Sequence, residues 1–174
     1  MPDSRLAEGF LETSKLLISE AKKPSQASLR RSVSSAYYAA FHCLAKVCAD
    51  CLIGSTKSKR PNKAWVEVYR GLNHSTCLEA CRKAQSIAFP ETIHNFADTF
   101  VQLQRARHDA DYDPLARFDK RKANLYIALA SKSIEQIRSC SITDRRAFAA
   151  WVLITSKGAT AARQKAKEER DGRR

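Results

Sequence analysis

Apolar residues recur along this chain at steps of three and four almost from end to end, and no segment alternates strictly between turn signals. That periodicity predicts helices and no strands. The first helix is expected from Asp3 to about Lys22, with Leu6, Phe10, Leu11, Leu17 and Ile18 on its apolar face and Lys23-Pro24 ending it. Ser25 is placed to cap a long second helix reaching about Ile53, where Gly54 suits the C-terminal cap. A basic, proline-containing linker, Ser55-Thr56-Lys57-Ser58-Lys59-Arg60-Pro61-Asn62, follows it. Two short helices come next, over about 63–71 and 75–86, with Ser75 as the expected cap of the second. Pro90 opens a long helix that Asp113-Pro114 terminates, and helices over about 119–138 and 143–168 complete the pattern. No repeat of fixed period is present. The expected fold is therefore all-α: an up-and-down bundle of four or more long helices with short accessory helices and a basic C-terminal helix, not a solenoid.

Composition narrows this picture. With 174 residues, 44% of them apolar, and only five glycines and five prolines, the chain fits one compact domain. The bundle is expected over residues 1–140, with 141–174 as a helical extension and basic tail packed on it. No run of about eighteen apolar residues occurs, and Met-Pro-Asp-Ser-Arg lacks the start of an export signal. The expected location is cytoplasmic, away from membranes, with the six cysteines as thiols.

The net charge of +13 is uneven. Residues 55–90 hold seven cations against two acids, and residues 141–174 hold nine against four. Lys57, Lys59, Arg60 and Lys63 in the first block, and Arg163, Lys165 and Lys167 in the second, are the candidate contacts to a polyanion such as RNA. The competing reading of both blocks is a solvated surface and a frayed tail.

One residue breaks the periodic pattern. Ile93, Phe96, Phe100 and Leu103 mark a helix face, and the next step lands on Arg107 within Arg107-His108-Asp109-Ala110-Asp111-Tyr112-Asp113-Pro114. A guanidinium on an apolar face stays charged and needs an anionic counterpart, and Asp111 stands one turn away. Arg105 falls on the outer face, where Asp109 is its expected surface partner. The second helix carries the other unusual segment, Ser34-Ser35-Ala36-Tyr37-Tyr38-Ala39-Ala40-Phe41-His42. Its stripe of Leu29, Val33, Tyr37, Ala40, Leu44, Val47 and Cys51 is expected in the core, with Arg31, Ser35, Tyr38 and His42 on a neighbouring face. Tyr38 and His42 are read either as packing residues or as part of a ligand cleft.

Ser-X-Ala-Tyr-Tyr-Ala-Ala-Phe-His from Ser34, joined to Arg107-X3-Asp111-Tyr112, resembles HEPN domains, all-helical proteins of prokaryotic defence and toxin–antitoxin systems. The likeness spans roughly residues 5–140 and is closest to the branch found beside minimal nucleotidyltransferases. It implies a bundle that dimerises, with the arginine-bearing helices of two protomers forming a composite cleft. It also implies a minimal nucleotidyltransferase antitoxin as partner. In active members an arginine followed about four to six residues later by histidine cleaves RNA without metal; imidazole suits proton transfer and guanidinium suits phosphorane charge.

Here that spacing is broken, since Arg105 and Arg107 are both followed at that distance by residues other than histidine. His108, directly beside Arg107, is the candidate catalytic partner or else a histidine suited to the end of a helix. Asp111 and Tyr112 are expected to support the cleft, or simply to hold two helices together. Two functional classes follow: a non-catalytic module binding nucleic acid, a nucleotide or a partner protein through the same cleft, and a metal-independent endoribonuclease using Arg107, with or without His108. No cofactor is expected. Cys48-X2-Cys51 and Cys77-X3-Cys81 have spacings a zinc site can use, but their apolar surroundings favour core thiols and no metal.

Overall fold

The computed structural model describes residues 5–19, 22–155, 164–165, 168–169 and 171–172. Among these the chain is all-α, with no strand. The helices are α1 (Leu6–Ser19), α2 (Gln26–Ile53), α3 (Asn62–Gly71), α4 (His74–Ala84), α5 (Glu91–Tyr112), α6 (Lys120–Ser139) and α7 (Ile142–Leu153). Of the residues expected at the ends of α1, Arg5 and Lys22 are not helical and residues 3, 4, 20 and 21 lie outside the described residues, while α7 stops at Leu153. The stretch expected to carry α7 onward lies mostly outside the described residues.

α2 is the axis of the molecule, packing against α1, α3, α5, α6 and α7. Being surrounded, it buries far more than one stripe: Ser32, Ser34 and Ser35 are covered along with Val33, Ala36, Tyr37, Ala39 and Ala40. Small residues let neighbouring helices approach closely there. Among the described residues, α2 is the one helix long and apolar enough to cross a membrane, yet most of its apolar window is buried inside the bundle. Its caps follow the sequence signals: Ser25 Oγ accepts from the Ser28 amide, and Gly54 takes φ 119°, a conformation that side-chain-bearing residues avoid. For α4 the cap is Asn73, not Ser75. Asn73 accepts from the Thr76 amide at 2.8 Å, and Ser75 donates to Asn73 Oδ1 at 2.8 Å. An amide carbonyl placed before the first turn reaches the orphan N–H that a serine already inside the helix cannot.

The first turns of α2 hold the end of α5 and the segment leading into α6 in place. Gln26 donates to the Phe118 carbonyl at 2.6 Å and accepts from the Phe118 amide at 3.1 Å. Arg30 donates through Nη1 to the Ala110 carbonyl (2.9 Å) and through Nη2 to those of Asp113 (2.9 Å) and Ala116 (2.5 Å). A longer Nη1 contact of 3.5 Å reaches Asp109 O. The last carbonyls of a helix have no partner within it, so this guanidinium satisfies them and meets the negative end of the helix dipole.

Away from this end, Phe89, Phe96, Phe148 and Trp151 join the α4–α5 connection, α5 and α7 through edge-on ring contacts of 5.6–6.3 Å. Trp151 Nε1 donates to the Ala80 carbonyl at 2.8 Å. Phe96 and Phe148 are fully buried, and each contributes about 3–5 kcal/mol by the cost of truncating such a side chain to alanine.

Candidate functional site

Along α5, Ile93, Phe96, Phe100 and Leu103 are fully buried, and the stripe then ends on Arg107, whose side chain is 16% exposed. Its Nε lies 2.8 Å from Asp111 Oδ2, the partner expected one turn on. The contact is an ion pair without an aligned hydrogen bond, since Nε has no hydrogen-bond partner. Nη2 donates to Tyr38 Oη at 3.1 Å and, more loosely, to Tyr112 Oη at 3.4 Å. The guanidinium sits between the two phenol rings, 5.7 Å from the Tyr38 centroid and 5.3 Å from that of Tyr112. Both lie within cation–π range. Ser34 Oγ donates to Asp111 Oδ1, so one carboxylate ties α2 to α5 and anchors the arginine.

Tyr38, Asp111 and Tyr112 are thus gathered round Arg107, and Ser34 joins them unanticipated. Ser34 stands one turn before Tyr38 on α2, so the i, i+4 spacing in the motif was the available signal. Tyr112 is 63% exposed and covers the outer side of the guanidinium. His108 is exposed and makes no hydrogen bond among the described residues; its ring lies 5.2 Å from that of Tyr112. The expected Arg105–Asp109 ion pair does not form, because exposed side chains gain little from it over water.

His42 is built into packing. Its ring stacks on Phe10 at 5.0 Å and on Tyr69 at 5.9 Å, and Nδ1 lies 2.7 Å from Tyr69 Oη. The stack continues through Trp65, 5.0 Å from Tyr69, to the Arg60 guanidinium, 4.1 Å over the Trp65 ring. Arg60 also pairs with Asp50 at 3.2 Å, and its side chain is only 6% exposed. This corrects its expected place on a nucleic-acid surface: its charge is committed to Asp50 and Trp65. Lys57, Lys59 and Lys63 are exposed, as is Lys165, while Arg163 and Lys167 lie outside the described residues.

A second histidine stands in the cluster. His74, the first residue of α4, places Nδ1 2.7 Å from the buried Tyr37 hydroxyl and packs its ring 4.3 Å from Phe41 and 5.9 Å from Tyr38. Sequence reasoning gave it no role, since about thirty residues separate it from either motif and only the fold joins them. Burial lowers the pKa of both His42 and His74; the nearby charge of Arg107 lowers His74 further.

All six cysteines are unpaired. Burial pushes the Cys43 thiol to about 11 and Cys77 to about 12, and carries Cys48 and Cys81 well above the usual range. These are poor metal ligands, and among the described residues no group of three or more His, Cys, Asp or Glu could hold a metal ion. No protein-family model, curated protein or solved structure matches this chain.

Proposed function

We propose that this chain is a HEPN-like module of a prokaryotic defence or toxin–antitoxin system, and that it binds nucleic acid or a nucleotide through Arg107 without cleaving it. The observation that carries this reading is how Arg107 distributes its donors. Among the described residues, Nε faces the only carboxylate, Nη2 meets two tyrosine hydroxyls, and Nη1 has no partner. Arg30, by contrast, uses both terminal nitrogens on carbonyls. An arginine retained for the fold alone fills its fork; Arg107 keeps part of its fork for something else.

The order of long α1, α2, α5 and α6 with short α3 and α4 between supports a HEPN-like bundle, with α7 as an extension of the same domain. The exposed Lys57, Lys59 and Lys63 favour a polyanion. In this proposal two copies pair through their arginine-bearing helices, a minimal nucleotidyltransferase is the antitoxin partner, and the setting is cytoplasmic. Binding is favoured over metal-independent cleavage because a catalytic imidazole is ordinarily held by a further hydrogen bond, and His108 has none among the described residues.

The test is to incubate wild-type and Arg107→Ala protein with mixed structured and single-stranded RNA at low salt in EDTA, reading gel shift and cleavage together. We expect a shift with intact RNA for the wild type and its loss in the variant. Equal shifts, or none, would overturn the proposal, and Arg107-dependent cleavage would replace it with the ribonuclease reading.

A further inference from the structure

We propose that His74 is a second phosphate contact of the Arg107 site, presenting Nε2–H to a non-bridging oxygen of the phosphate that the guanidinium binds. This rests on the reading of Arg107 given above.

Hydrogen-bond accounting fixes the proton. Tyr37 is fully buried, and its hydroxyl has one hydrogen-bond partner among the described residues, His74 Nδ1 at 2.7 Å. Burial raises the phenol's pKa, so it keeps its proton and donates it to that nitrogen. Nδ1 therefore accepts, and the ring proton of neutral His74 resides on Nε2. No residue among those described takes up Nε2–H. The result is a neutral imidazole with one donor to spare.

Its position is equally constrained. The ring lies against Phe41 and Tyr37, at 4.3 and 5.5 Å between centroids. The main chain is tied to α5 by Gln104 Nε2, which donates to the His74 carbonyl at 3.3 Å. Tyr38 is the shared wall: the His74 ring meets it edge-on at 5.9 Å, and Arg107 bonds its hydroxyl from 5.7 Å off the ring centroid. Asp111, the only carboxylate paired with Arg107 among the described residues, is already engaged by Ser34. Apart from the buried Gln104 Oε1, which has no hydrogen-bond partner, what the cluster has left over is donors. A phosphate group, with several acceptor oxygens and negative charge, matches that surplus, and two donors held by separate helices position it without reorganisation.

His42 supplies the internal control. It too is a half-buried imidazole bonded through Nδ1 to a tyrosine, but its two faces are covered by Phe10 and Tyr69.

The experiment titrates a short single-stranded RNA, and separately AMP, into the 15N-labelled full chain while following the imidazole nitrogens of both histidines. We expect the His74 Nε2 signal to move and the His42 signals to stay. Movement with AMP as well as RNA would assign the contact to any phosphate, and movement with RNA alone to the phosphodiester of a chain. His74→Ala should weaken RNA binding about tenfold, with His74→Gln, which keeps an amide donor, recovering most of it. RNA binding that Arg107→Ala abolishes, with stationary His74 signals and unaltered affinity in both His74 variants, would overturn the role of His74 and leave that of Arg107 standing. No binding of either probe by the wild type would remove both.

Discussion

The two aromatic clusters of this molecule meet at Phe100, 5.5 Å from Tyr37 and 6.1 Å from Phe96, and they are built on opposite principles. Around Phe89, Phe96, Phe148 and Trp151 the rings interlock edge to face, and the one polar handle, the Trp151 N–H, is satisfied by a carbonyl. Around Tyr37, Tyr38, His42 and His74 the rings carry hydroxyls and nitrogens, bonded to one another, to Tyr69 and to Arg107. The first cluster has nothing unspent; the second has donors over. Aromatic burial holds both together, so the two clusters differ in their polar tips.

The largest effect should come from the dry side. Phe148→Ala is expected to lower unfolding free energy by about 3–5 kcal/mol in urea titration while leaving RNA affinity of the folded protein unchanged. A parallel loss of affinity would mean the clusters are not separable. Next, Arg30→Met strips the end of α5 of its guanidinium and should cost about 2–3 kcal/mol, with RNA binding weakened because the turn bearing Asp111 and Tyr112 loosens. A stable variant with full affinity would show that the clamp positions nothing.

Arg107→Ala should cost less, about 1–2 kcal/mol by thermal or urea melts, because the Asp111 side chain is 23% exposed and keeps Ser34. A loss of about 3–5 kcal/mol would instead mark the pair as a buried structural lock.

The smallest effect is the pH response. His42 and His74 have folded pKa values below the ordinary 6.5, so the unfolded chain takes up their protons first on acidification. Their contribution is therefore complete above the unfolded value and is lost as pH falls through it toward the folded values. Melting temperature should fall between about pH 7 and about pH 5. The double variant His42→Gln, His74→Gln should flatten that fall and Phe148→Ala should not; an unchanged slope in the double variant would place the titration elsewhere.

Helical periodicity carried the fold because every long element has at least one apolar face, and the caps at Ser25 and Gly54 were readable from residue type. The full burial of α2 was not, since its serines and alanines read as a neighbouring face until five helices close round them. At the site, Arg107, Asp111, Tyr112 and Tyr38 announced themselves through a charge on an apolar stripe and a motif within two helices. His74 and Arg60 did not. One is delivered by an α4 start that no local spacing ties to α5, and the other turns inward because Trp65 and Asp50 happen to face it. Cation counts measure charge, and only the fold shows which charges meet solvent.

The chain's two tryptophans fall one to each cluster, which makes the protein its own pair of optical gauges. Trp65 has a carboxylate on its N–H at 2.9 Å and a guanidinium over its ring, whereas Trp151 is packed against Phe89 and donates its N–H to a carbonyl. In Trp151→Phe protein, emission reports the half of the molecule containing the stacked histidine; in Trp65→Phe it reports the dry half. Recorded side by side during unfolding, the two signals show whether the half carrying the stacked histidine opens on its own or only with the rest.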